Sequence, residues 1–95
     1  MRFRIDTDIF KKAIEATSHA TSANNLTPIL ENILIDAQYK RVDLTGNNLD
    51  MAIEYVIEKE VTVEAEGRFT ISSKFLSSYI ALVQDKEVTV ELERG

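Results

Sequence analysis

The chain has 95 residues, which fits one domain, and its apolar share of 44% and charged share of 28% are those of a folded globular protein. A formal net charge of −5 argues against a simple basic nucleic-acid-binding protein, although one local positive face is compatible with it. The absence of cysteine excludes disulfides and thiolate metal sites. No apolar run suits a signal peptide or a membrane span, so we expect a cytoplasmic protein without membrane contact.

The first predicted element is a strand over Arg2–Asp6, because polar and apolar residues alternate there. Asp6, Thr7 or Asp8 can cap the helix that follows, which we expect to end near Thr21. Its predicted buried stripe has helical spacing and consists of Ile9, Phe10, Ala13, Ile14 and Thr17.

A β-rich stretch follows a polar loop that ends at Pro28. The alternation of polar and apolar residues predicts strands at residues 29–37, 41–45, 49–57 and 61–65. Gly46-Asn47-Asn48 is interpreted as a turn between two of them, because glycine and asparagine tolerate positive φ. Gly67 interrupts the alternation after the last of these strands.

A second strand-to-helix unit begins at Arg68. Ser72 or Ser73 can cap a helix over residues 74–83. The apolar stripe predicted to be buried in this helix is Phe75, Leu76, Tyr79, Ile80 and Val83. A final strand is predicted at residues 87–93.

Residues 3–14 and 69–80 follow one pattern. At a displacement of 66 positions, six apolar pairs coincide: Phe3/Phe69, Ile5/Ile71, Ile9/Phe75, Phe10/Leu76, Ala13/Tyr79 and Ile14/Ile80. We interpret this as an internal repeat, the alternative being chance similarity between two ordinary β–α starts. Three strands in meander, ending near Ile57, follow the first helix, and one strand follows the second helix. We therefore expect that the second copy lacks its last two strands. Either a longer domain contains these strands, or a partner supplies them by pairing with the open edge.

Catalysis has little support in the sequence. His19 is the only histidine, and no nucleophile-elbow or phosphate-loop motif occurs. The carboxylate pairs Asp50/Glu54 and Glu64/Glu66 are explained by a solvated sheet face, and no calcium-loop spacing is present. We therefore expect neither a metal nor a cofactor.

Charge is distributed unevenly over the predicted faces. The outward strand positions are mostly acidic: Asp36, Asp43, Asp50, Glu54, Glu64, Glu66, Glu91 and Glu93. On the outward helix faces, Lys11, Lys12 and Lys74 stand against Asp8 and Glu15. A face of Lys, Ser and Ala lets a polyanion approach without base reading. A merely solvated helix face explains the same residues equally well.

Three motifs, taken in order, resemble the family of the bacterial DNA sliding clamp, the β subunit of DNA polymerase III. They are Thr27-Pro28-Ile29-Leu30-Glu31-Asn32, Leu44-Thr45-Gly46-Asn47-Asn48-Leu49-Asp50-Met51 and Ile71-Ser72-Ser73-Lys74-Phe75-Leu76. The likeness covers residues 1–95 and corresponds to most of the first of three similar domains. It implies an α+β fold, a DNA-clamp domain built from a duplicated βαβββ unit with its helices on one face of antiparallel sheets and its second copy incomplete.

The resemblance implies a DNA replication processivity factor, a ring that encircles double-stranded DNA and tethers the replicative polymerase through non-specific phosphate contacts. It would be a non-catalytic subunit of the DNA polymerase III holoenzyme, a nucleotidyltransferase complex. The helices line the hole in this family, and a loop before the Pro-Ile-Leu motif touches DNA. The candidate DNA-binding residues are therefore Lys11, Lys12, His19, Asn24, Asn25, Lys74, Ser77 and Ser78. The resemblance also implies that polymerase subunits and the clamp loader bind later domains, and that the full-length protein forms a head-to-tail homodimer.

One alternative from another functional class stays open. A small acidic α+β interaction module would bind a protein partner through its open sheet edge. An enzyme is the least favoured reading, because the sequence offers no nucleophile–base pair.

Overall fold

A computed structural model describes residues 1–19, 32–47 and 52–92, and within these ranges it contains two helices and seven strands. In chain order the elements are β1 (Arg2–Asp6), α1 (Thr7–Ser18), β2 (Asn32–Gln38), β3 (Arg41–Asn47), β4 (Ala52–Ile57), β5 (Val61–Ala65), β6 (Gly67–Ser72), α2 (Ser73–Ile80) and β7 (Glu87–Glu91). The α+β class is as predicted.

The strands form two antiparallel sheets, the first in the order β5-β1-β7 and the second in the order β4-β3-β2-β6. β1 leads into α1 but pairs with β7, the strand after α2. Conversely, β6 leads into α2 but pairs with β2, the strand after α1. Each strand-to-helix unit therefore gives its first strand to the sheet of the other unit, as expected for an internal repeat whose two copies fold together.

One hydrophobic core lies between the sheets and the two helices. Its buried apolar members are Phe3, Ile5, Phe10, Ala13, Ile14, Ile33, Ile35, Ala37, Val42, Leu44, Ile57, Leu76 and Ile80. The rings of Phe3 and Phe10 meet edge to face with centroids 6.1 Å apart, which joins the first sheet to α1. Full burial of a large apolar side chain stabilises the fold by about 1.5–3 kcal/mol, so this cluster is the main source of stability.

The predicted turn at Gly46-Asn47 is wrong. Both residues belong to β3, and Gly46 pairs with Ile33 on one side and Ile53 on the other. Hydrogen bonding to neighbours on both sides holds this backbone extended. Positive φ occurs instead at Lys40 (62°) and Glu60 (59°), in the tight connections after β2 and β4.

The helices are shorter than predicted. α1 ends at Ser18, and α2 covers Ser73–Ile80 instead of residues 74–83. The prediction that Phe75 and Tyr79 are buried is wrong for the described structure, because no described strand covers that side of α2. The predicted Thr21 helix end, the strand starts at 29–31 and 49–51, and Asp50 and Glu93 lie outside the described residues.

Candidate nucleic-acid interface

The two helices begin in the same way. The Asp6 carboxylate accepts a hydrogen bond from the N–H of Ile9 at 3.0 Å, and the Ser72 hydroxyl accepts one from the N–H of Phe75 at 3.3 Å. Both capping residues have an extended backbone, with φ near −57° and ψ of 128°. Each cap satisfies an N–H group that the first helical turn leaves without an intrahelical partner. The displacement of 66 positions therefore relates the caps as well as the apolar positions.

The helices lie side by side and run in opposite directions. Near the end of α1, the Ser18 hydroxyl lies 3.3 Å from that of Ser77. Near its start, Nζ of Lys11 donates to the carbonyl oxygen of Val83 at 3.1 Å. The small side chains at the first contact let the helix axes approach closely.

An open groove of about 500 Å³ lies between the helices. Ile14 and Ile80 contribute to its floor, and Lys11, His19 and Ser77 contribute polar groups to its rim. The structure therefore brings three of the predicted DNA-binding residues to one groove. The carboxylate of Glu15 stands at the same groove and opposes an anion there.

The remaining predicted residues lie on the outward helix surfaces. Lys12, Lys74 and Ser78 are all exposed. The displacement of 66 positions relates Lys12 to Ser78, so these two side chains occupy equivalent places on α1 and α2. Asn24 and Asn25 lie outside the described residues.

The outer face of the first sheet carries two arginines among the acids that the sequence predicted there. Arg2 forms ion pairs with Glu64 and Glu91, and Arg4 pairs with Glu64 at 2.9 Å and with Glu87 at 3.8 Å. Alternation along β1 already predicted that both arginines point outward. The cross-strand register that puts glutamates beside them is decided by strand pairing.

Asp43 is the clearest correction among the predicted outward acids, because only 8% of the residue is exposed. Its Oδ1 lies 3.2 Å from Nε of Arg41, yet neither atom has a well-aligned hydrogen bond. Burial raises the pKa of this carboxyl, Arg41 lowers it, and the nearby acids Glu54, Asp36 and Glu58 raise it further.

Within residues 1–19, 32–47 and 52–92, no three His, Asp or Glu side chains converge to hold a metal ion. His19 is exposed and lines the groove together with Lys11, Glu15 and Ser77. No helix among these residues is long and apolar enough to cross a membrane.

An apolar patch is exposed on α2 and the turn after it, and two of its residues, Phe75 and Tyr79, were predicted to lie in the core. Phe75, Tyr79 and Leu82 are 61%, 60% and 80% exposed, and the first two rings stack with centroids 6.2 Å apart. Their counterparts on α1 are Ile9, Ala13 and Ala16. Ala13 is fully buried, and Ile9 packs against the core near Tyr55 of β4.

Comparison with known proteins gives one consistent family. A family model described as "DNA polymerase III beta subunit, N-terminal domain" matches residues 1–94. The "Beta sliding clamp" of Halalkalibacterium halodurans is 31% identical over 98% of this chain and 26% of its own length. That of Bacillus subtilis is 29% identical with the same coverage.

Solved structures agree in fold. The beta subunit from the DNA polymerase of Streptococcus pyogenes matches with a TM-score of 0.91 and 28% identity, over 96% of this chain and 24% of that one. The DNA polymerase sliding clamp from Bacillus subtilis matches with a TM-score of 0.91 and 29% identity, over 98% and 26%. The chain spans about a quarter of the length of these relatives. It belongs to the family of the DNA polymerase III beta subunit, N-terminal domain, which is the family of the bacterial sliding clamps.

Proposed function

We propose that this chain forms most of the N-terminal domain of a ring-shaped clamp that encircles duplex DNA and tethers a replicative polymerase. The observation that carries the proposal is the placement of both helices, side by side, on one face of the sheets in a member of the sliding-clamp family. In this proposal the helices face the central hole and the sheets form the outer surface.

The charges of the described elements favour this orientation. The helices α1 and α2 carry Lys11, Lys12 and Lys74 against Asp8 and Glu15, which is a small positive excess. The seven strands carry more acids than arginines, and Asp43 adds a buried negative charge to the second sheet. DNA would therefore meet the less acidic face. Contacts from scattered lysines and hydroxyls neutralise few phosphates, which suits a ring that must slide.

We propose that two further antiparallel strands, pairing with the free edge of β7, complete the second repeat. The repeat supports these strands. On α1, Ala13 is buried, and α1 contacts β3 and β4. On α2, the equivalent side carries Phe75 and Tyr79, which no described strand covers. Two strands after β7 would occupy the place that β3 and β4 occupy beside β2.

The remaining assignments follow from membership of the family and belong to a full-length protein. They are a non-catalytic role within a DNA polymerase III holoenzyme, contacts with polymerase subunits and a clamp loader through later domains, and a head-to-tail homodimer. The proposed function involves no covalent step, so it requires no catalytic group among the described residues.

A topological experiment tests the proposal. A full-length clamp that carries these residues is loaded onto nicked circular DNA, and retention is followed by gel filtration before and after linearisation. Retention on the circle and loss from the linear form are expected, because a closed ring can leave only at an end. Equal loss from both forms would refute encirclement.

A second measurement tests the contact residues. Lys12→Met and Lys74→Met in the same clamp should each reduce the slope of log affinity against log salt concentration by about 0.9, the value for one phosphate contact. Lys40→Met, at an exposed position in the tight turn between β2 and β3, is the matched control. An unchanged slope in both variants would exclude these two lysines as contacts while leaving the fold assignment intact.

A further inference from the structure

One of the candidate DNA-binding lysines is held within the fold. The half-buried Lys11 donates its ammonium hydrogen bond to the carbonyl oxygen of Val83, whereas its neighbour Lys12 is exposed. Val83 lies in the turn that ends α2, where its own N–H donates to the carbonyl of Ile80 at 3.1 Å. The Lys11 ammonium therefore ties α1 to the end of α2.

The internal repeat gives this contact a counterpart. The displacement of 66 positions places Lys11 on Ser77 and Ser18 on Gln84, next to Val83. The Ser18–Ser77 contact and the Lys11–Val83 contact therefore lie within one residue of equivalent positions, at the two ends of the helix pair. One end uses two hydroxyls and the other uses a charged donor, which makes the stronger kind of hydrogen bond.

We propose that Lys11 is a positioning residue, which fixes the spacing and rotation of α2 against α1 instead of contacting phosphate itself. Through this contact it sets where Lys74 on α2 stands relative to Lys12 on α1. The inference rests on the proposed function, because the spacing of these two lysines matters only if both face DNA. It predicts that the three lysines respond differently to the same substitution.

Amide hydrogen exchange in this chain tests the structural half. Lys11→Met keeps most of the aliphatic stem and removes the ammonium, and Lys12→Met is the matched control one residue away. We expect the amides from Leu76 to Val83 to exchange about tenfold faster in the Lys11 variant, as for the loss of a hydrogen bond to a charged group. No change is expected in the Lys12 variant, and Lys11→Arg should restore most of the protection. Unaltered exchange in Lys11→Met would overturn the proposal.

The salt dependence of duplex binding in a full-length clamp tests the functional half. A positioning role predicts weaker binding by Lys11→Met with an unchanged salt slope, whereas a direct contact predicts a slope reduced by about 0.9. That reduction, with or without faster exchange, overturns the proposal. If Lys12→Met and Lys74→Met leave the slope unchanged, the proposed DNA contacts fail. The exchange result for Lys11 is independent of that failure and still decides the structural role.

Discussion

The exposed aromatic patch on α2 gives the sharpest test of domain completion. In the 95-residue chain Tyr79 is 60% exposed and stacks on Phe75. Two-fifths of a full aromatic burial, together with a weak ring contact, amounts to about 1 kcal/mol. We therefore expect Tyr79→Ala to lower the free energy of unfolding by only about that much.

The same substitution should be far more costly once the second repeat is complete. Ala13, the equivalent residue on α1, is fully buried. A longer chain that includes the two proposed strands and their turns, about 25 additional residues, provides the comparison. If these strands cover α2, truncation of Tyr79 creates a cavity and costs about 3–5 kcal/mol.

Urea denaturation followed by far-ultraviolet circular dichroism measures both values. Leu76→Ala is the matched control, because Leu76 is only 7% exposed in the described structure and should cost about 2–5 kcal/mol in either chain. If that variant does not fold, Ile80→Val, with an expected cost of about 0.5–1.5 kcal/mol, replaces it. A cost for Tyr79→Ala that is equally small in both chains would refute the reasoning that strands cover this side of α2.

Three further predictions concern stability. Asp43→Asn should stabilise the chain by roughly 0.5–1 kcal/mol at pH 7, because it removes a buried charge. The raised pKa of Asp43 means that its charged form is disfavoured in the folded state. The gain in the free energy of unfolding, measured by urea titration, should therefore fade as the pH falls to 3.8, the ordinary pKa of an aspartate. Asp6→Ala and Ser72→Ala should each cost about 0.5–2 kcal/mol and speed exchange of the first-turn amides of their own helix only. Gly67→Ala should destabilise by about 1 kcal/mol, since a Cβ there would lie 2.9 Å from Cβ of Met1 and force it to shift.

Each of these has a clear contrary result. A gain from Asp43→Asn that persists at pH 3 would mean that burial of the charge is not its cause. Asp85→Asn, at an exposed position after α2, is the control for general loss of negative charge. If one capping substitution speeds amide exchange equally in both helices, the change of stability is global. If Gly67→Ala leaves the stability unchanged, Met1 repacks at no cost.

The local sequence pattern was sufficient to predict an element wherever short-range rules determine where that element begins and ends. The alternation of Phe3 and Ile5 predicted β1 with its observed ends, and the observed caps Asp6 and Ser72 are among the candidates predicted for the two helix starts. The repeat was visible because its two copies carry apolar residues at matching positions. The pairing of Arg2 and Arg4 with glutamates was not predicted, since cross-strand register rather than composition sets which charges become neighbours.

The sequence by itself determined the α+β class, the element order and the repeat, because helical and strand periods and capping side chains act over a few residues. Only the tertiary structure decided that β1 and β6 exchange sheets, that Gly46 is held in a ladder instead of a turn, and that Asp43 is buried beside Arg41. It also decided that Lys11 reaches Val83 across the helix pair while Tyr79 stays exposed. These features depend on which distant segments lie beside each residue, and no local spacing encodes that.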